Sequence, residues 1–390
     1  MTEPRAADAA AEQKVTWSEL FVDLVWVFGV TQIAAALAHG HGLGDVGRSL
    51  LLLVPLWWSW VGTTVFGNAA GARLEHATGR LVLFAVAGCG LGIAVAVPHA
   101  YADRGLLFAG SYAVLRLVLW LAMRRLPFYD GVRVNPFGVM LFVSAPLYLV
   151  GALLPADWRL AVWVLAAATE VLAPRVLRRS VSTLRFETAH LPERFGLFII
   201  IAIGETVVAM GTQAAGHHHV DLAVLGTLAL SFVLICGLWW TYFHFGSSAM
   251  RHALRTTTVQ GGIVRDVFSY AHLAYVTGII CVAVGLKQVL AHPEAIPHSV
   301  PELMLAPGAA LYLAGFGYSR WRMFGAPTLF RTAASLLCVM IALAAPLLPL
   351  VATAAAVTAL TVGLNVLEFF WVRSNRPLLL VPVPGSRRAG

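Results

Sequence analysis

Apolar runs of roughly 18–25 residues recur along the whole chain, and each is long enough to cross a bilayer as a helix. Lipid offers no water to solvate peptide groups, so a spanning segment must pair them internally, as a helix or in a closed barrel. Barrel strands would alternate polar and apolar residues, and that alternation is absent. The runs therefore predict an all-α, polytopic helical membrane protein. Composition agrees: 59% of the 390 residues are hydrophobic and only 12% charged, with a mean hydropathy of +0.78. That balance excludes the two or three soluble domains this length could otherwise hold.

About twelve spans are predicted. The first six cover Glu19–Ala38, Ser49–Asn68, Arg80–Ala100, Leu106–Met123, Phe137–Leu154 and Trp158–Pro174. The second six cover Pro192–Thr212, Leu222–Phe245, Val267–Leu290, Leu303–Ser319, Leu329–Leu350 and Val351–Val372. Only Pro346 and Pro349 separate the last two, so eleven is the rival count. Basic residues set the orientation. Only Arg48, Arg104, Arg159 and Lys287 fall on the side opposite the termini, and Arg116 lies inside a span; the rest of the 27 share the termini's side. Both termini are thus expected in the cytoplasm. The net charge of +8 is then a topology signal and a phospholipid contact, with no call for nucleic acid. The opening residues lack a basic-then-apolar leader, so no cleavable signal peptide is expected.

The halves resemble one another. LWWSW at Leu56–Trp60 matches LWWTY at Leu238–Tyr242, and GIAVAV at Gly92–Val97 matches GIICVAV at Gly278–Val284. Glu170 and Arg175 repeat the spacing of Glu368 and Arg373, and both first spans open with ExF. The matches keep span order, which points to duplication, and six crossings per half make the repeats parallel. The expected organisation is a tail over 1–17, a six-helix repeat over 18–180, a second over 181–376 and a tail over 377–390. Aligning span one on span seven stays ambiguous: one register sets Thr31 opposite Glu205, the other sets Asp23 there.

Ionisable residues inside spans are the candidate ligand or ion-binding groups, because charge in lipid must be paired, neutralised or wet. Glu205 lies about thirteen residues into its helix, roughly 20 Å deep and near the bilayer centre. Arg116 enters from the opposite side to a similar depth, so an Arg116–Glu205 pair is predicted, either as a transport site or as a clamp. Glu19 and Asp23 are four apart and share a helix face. Glu19 and Glu193 also suit a helix N-terminus, where the dipole favours carboxylates. His190, Arg194, Tyr270 and His272 join them near the cytoplasmic ends, as a proton relay or cation site, or as ion pairs anchoring helix ends. Cys89, Cys236, Cys281 and Cys338 have no paired spacing and read as packing residues, implying neither disulfide nor metal. The His217–His219 tract reads as a solvated loop, and the paired tryptophans as packing or interface belt. No cofactor is implied.

Four stretches together resemble the bacterial low temperature requirement A (LtrA) family: ELFVDLVWVFGVTQIAAAL, HLPERFGLFIIIAIGETVVAMG, GLWWTYFHFG and RDVFSYAHLAYVTGIICVAVG. The HxxERFGLFxIIxxGE segment is the most specific. Phe243-His244 departs from the family pattern, where an acidic residue would follow the aromatic pair. The resemblance implies an integral membrane protein named for growth in the cold, and brings no reaction, ligand or catalytic residue. Three functions remain open: a secondary transporter or proton- or cation-conducting protein, a non-catalytic membrane factor for cold adaptation, and a lipid-modifying intramembrane enzyme. Expected partners are membrane lipids, an unspecified small solute or ion, and a second copy of the chain as a homo-oligomer.

Overall fold

The computed structural model describes residues 14–127, 134–182, 184–216, 221–326 and 328–374. The His217–His219 tract, residues 1–13 of the first expected tail and all of the second lie outside the described residues. Among the described residues the structure is all helical. The long helices are α1 (Trp17–His39), α2 (Leu43–Ala70), α3 (Ala77–Ala96), α4 (Gly105–Met123), α5 (Pro136–Leu153) and α6 (Ala156–Val176). They continue as α7 (His190–Ala215), α8 (Leu222–Thr256), α9 (Gln260–Ala291), α10 (Leu305–Phe324), α11 (Leu329–Ala344) and α12 (Leu350–Arg373).

Ten of these are long and apolar enough to cross a membrane. The other two, α6 and α10, were also expected as spans. They are helical over 21 and 20 residues, but α6 carries Asp157, Arg159, Glu170 and Arg175, and α10 ends on Arg320 and Arg322. The Pro346/Pro349 region does separate two helices. A 3-10 turn at Ala345–Leu347 ends α11, and Pro349 caps α12 with an extended backbone.

Burial shows which helices form the interior. In its most apolar stretch α2 is 83% buried and α9 67%, against 28% for α11. α2 and α9 meet directly, since the Trp57 indole donates to the Ser269 carbonyl at 3.0 Å. That carbonyl lies in a π-helical segment, Val264–Ala271, one of three inside the long helices. A π turn loosens the usual ladder and leaves carbonyls for side chains. α1 packs on α2, α3, α7 and α9.

Candidate functional site

The N-terminus of α1 is a capping box. The Glu19 amide reaches Thr16 Oγ1 at 3.4 Å, and the Thr16 amide donates to Glu19 Oε2 at 3.0 Å. That leaves Oε1 to face inward, where α2 runs so close that a Cβ on Gly67 would overlap it. One helical turn on, Asp23 points the same way.

Opposite them, α7 presents His190 and Arg194 at the same four-residue spacing. His190 Nε2 lies 3.1 Å from Glu19 Oε1 and 3.2 Å from Oε2. Arg194 Nη1 is 2.7 Å from Glu19 Oε1, too poorly aligned for a hydrogen bond, so this contact is charge pairing. Arg194 Nη2 donates to Asp23 Oδ1 at 2.6 Å, and the Trp60 indole of α2 donates to the same oxygen at 2.8 Å. All four charged or titratable side chains are fully buried. Trp57 stacks on Trp60 with centroids 5.2 Å apart, and Phe195 and Phe198 pack against both rings.

The hydrogen-bond pattern orients the His190 ring. Asn68 clasps the Glu187 backbone, accepting from its amide at 3.0 Å and donating to its carbonyl at 3.1 Å. The clasp fixes the amide's orientation and turns its second N–H to His190 Nδ1 at 3.4 Å. With Asn68 on Nδ1, the Nε2 side of the ring is left to hydrogen-bond the Glu19 carboxylate. Two carboxylates thus face one guanidinium and one imidazole, and Asp23 Oδ2 is buried with no donor among the described residues.

The predicted Arg116–Glu205 pair is not formed. Arg116 Nη2 lies 3.8 Å from Glu170 Oε1 on α6, Nη1 donates to the Trp58 carbonyl at 3.3 Å, and the guanidinium sits 4.8 Å from the Tyr112 ring centroid. Tyr112 donates a short hydrogen bond to the same Glu170 oxygen. Arg116 and Glu170 each lie about 10 Å from the end of their helices, so they share a depth. Counting Arg116 from the opposite end of α4 hid that match. Glu205 is half-buried instead, and no hydrogen bond or ion pair ties it to another described residue.

The remaining expected residues separate. Glu193 is half-buried on α7 and takes no part in the cluster. His272 is buried, with its ring against Phe195. Its Nδ1 donates to the Val267 carbonyl at 2.9 Å, and its Nε2 accepts from the Tyr242 hydroxyl at 2.8 Å. It therefore braces α8 on the π segment of α9, and neither bond is to a carboxylate. Tyr270 ties α9 to α6 through the Val171 carbonyl at 2.5 Å. Trp60 and Asn68 are the site residues that sequence reasoning did not single out for chemistry. The signal for the whole site was available in two complementary pairs at equal spacing, Glu19/Asp23 and His190/Arg194.

The family model for the bacterial low temperature requirement A protein (LtrA) matches residues 14–366, which take in every residue of this cluster. The chain belongs to the LtrA family. The uncharacterized protein RA0937 of Rhizobium meliloti is 31% identical over 322 residues, covering 78% of this chain and 76% of that one. No solved structure matches. The most specific LtrA-like segment, HLPERFGLF, is the turn of α7 that supplies His190 and Arg194, so the family signature and the buried cluster coincide.

Proposed function

We propose that this LtrA protein is a multi-pass protein of the cytoplasmic membrane that binds a proton or a monovalent cation at the α1–α7 cluster, as a secondary transporter or cation-conducting protein. The observation that carries the reading is the buried Asp23 Oδ2, which has no donor among the described residues. A buried carboxylate oxygen without a partner is expensive, and in a low-polarity aromatic wall it is satisfied by a proton on the carboxylate or by a small cation. Two parallel six-helix repeats, twelve spans including α6 and α10, and cytoplasmic termini complete the proposal. They place the cluster where the first helices of the two repeats meet, about a turn or two inside the membrane's cytoplasmic face.

Purified protein in proteoliposomes with a trapped pH dye, under imposed sodium, potassium or voltage gradients, tests the reading. Gradient-dependent proton or cation movement is expected in the wild type and lost in Asp23→Asn, with the variant eluting as a folded monodisperse species. Movement equal in both proteins, or absent in both, removes the proposal. In that case rescue of cold growth by Asp23→Asn in a deletion strain would favour the non-catalytic factor, because Arg116–Glu170 and Arg331–Glu368 already fasten neighbouring helices without any ligand.

A further inference from the structure

A second charged region lies at the arginine-rich ends of the helices, away from the cluster. A cavity of about 440 Å³ opens between the short helix Arg178–Ser182, the entry to α9 and the end of α10. Arg178, Arg179, Arg265 and Arg322 line it, with Asp266 as the one carboxylate among its lining residues.

Asp266 is buried and spent on two of those arginines. Arg265 Nε donates to Oδ1 at 2.6 Å and Nη2 to Oδ2 at 2.8 Å. Arg322 Nε donates to Oδ2 at 2.7 Å, and its Nη2 makes a shorter contact to the same oxygen. Both guanidiniums are thus held in fixed planes, and no bond to a described residue uses the Nη1 of either. Arg178 and Arg179 are exposed and make no ion pair with a described carboxylate. Four guanidiniums against one carboxylate leave a surplus of positive charge around an open volume. The wall is built, because Gly261 lies so close to the Val181 carbonyl that any Cβ there would overlap it. This contact sets the short helix, and with it Arg178 and Arg179, beside Arg265.

We propose that this cavity binds a phosphate-bearing anion. Planar forks held by a shared carboxylate match phosphate oxygens two at a time, as a set of flexible ammonium groups would not. The volume exceeds a bare phosphate and suits one carrying a small substituent. Val259 in the lining is an exposed apolar side chain, the exposed Trp321 ring lies 5.4 Å from the Arg322 guanidinium, and basic pockets at the cytoplasmic ends of membrane helices suit lipid headgroups. A phospholipid headgroup and a soluble phosphate ester share this chemistry. Asp266 acts as a positioning residue, holding Arg265 and Arg322 without touching the ligand.

The test uses the full chain purified in a non-ionic detergent. Inorganic phosphate and glycerol phosphate are titrated calorimetrically at ionic strength matched with chloride, and native mass spectrometry reads retained phosphatidylglycerol or cardiolipin. The variant is Arg178→Gln/Arg179→Gln, which changes two exposed side chains and leaves the Asp266 clamp whole. Saturable phosphate binding weakened about tenfold or more in the variant supports the site. If anionic lipid is retained by the wild type, lost in the variant and displaced by glycerol phosphate, the occupant is a headgroup. If the phosphates bind and no lipid is retained, it is a soluble ester. Binding unchanged in the variant, or no binding beyond the chloride control with no lipid retained, overturns the proposal.

Discussion

Two buried ion sites in this molecule use the same residue types and reach opposite results. Between α11 and α12, Arg331 Nε donates to Glu368 Oε1 at 2.8 Å and Nη2 to Oε2 at 2.7 Å. That fork leaves neither carboxylate oxygen free; the Phe316 ring lies 4.6 Å from the guanidinium, and Arg320 lines the same small pocket. Between α1 and α7, two carboxylates share one arginine, one histidine and an indole, and an oxygen is left over among the described residues. In the first site the carboxylate is saturated by its own partner. In the second it is not, although that site is the more deeply buried. Burial of charge therefore does not by itself mark function; a buried carboxylate oxygen left without a donor does.

The same chemical change should have very different costs at the two sites. Glu368→Gln leaves Arg331 buried without its counter-charge, and breaking such a pair costs about 3–5 kcal/mol. Thermal unfolding of purified protein should show that loss, largely restored in the double replacement Arg331→Met/Glu368→Leu. If Glu368→Gln is neutral, the fork contributes nothing and the contrast with α1–α7 collapses. A smaller effect is expected where the buried contact is neutral. Tyr242→Phe removes the donor to His272 Nε2 and leaves that nitrogen buried, at about 1–3 kcal/mol. A larger loss would mean that His272 carries charge, and the distinction between a bracing histidine and a site histidine would fail.

Asp23→Asn comes next. It leaves Glu19 as counter-charge to Arg194 and keeps an oxygen for Trp60 and Arg194, so its stability should stay within about 1 kcal/mol of wild type. The same change made at Glu368 is expected to be several times more damaging. A destabilisation of Asp23→Asn equal to that of Glu368→Gln would show that both carboxylates are structural.

The contrast also marks how far the sequence could be read. Helices and their lengths follow from the apolar runs, and Glu19/Asp23 announced a shared face through spacing alone. What spacing cannot supply is which helix faces which. Arg331 counts as one more basic residue at a helix end until α12 is seen to bring Glu368 to it. Depth alone pairs Arg116 with Glu205, although Glu170 lies at the same level when measured from the other end of α4. Glu205 itself stood out because it is acidic among apolar neighbours, yet exposure along a helix depends on the neighbours in three dimensions. The π segments were hidden too. Val264–Ala271 moves carbonyls to the indole of Trp57 and the ring of His272, and no pattern of hydrophobicity encodes that displacement.

The smallest effect belongs to a third way of satisfying a carboxylate, outside the spans. Glu302 Oε2 accepts the His298 amide at 2.6 Å and the Ser299 amide at 3.2 Å in the loop between α9 and α10. Partial burial pushes its pKa up, but those backbone donors outweigh it and hold the group below its ordinary value of 4.5. A depressed carboxylate stabilises the fold above the unfolded-state value, and that contribution is lost as pH falls through the lower folded-state value. Wild-type and Glu302→Gln melting temperatures should therefore differ most at neutral pH and converge in acid. The difference should be small, because the loop is partly solvated. Any proton or cation dependence of the α1–α7 cluster should survive this substitution unchanged. A variant that alters it would tie the loop to the site, and the separation between an amide-saturated carboxylate and an under-partnered one would no longer hold.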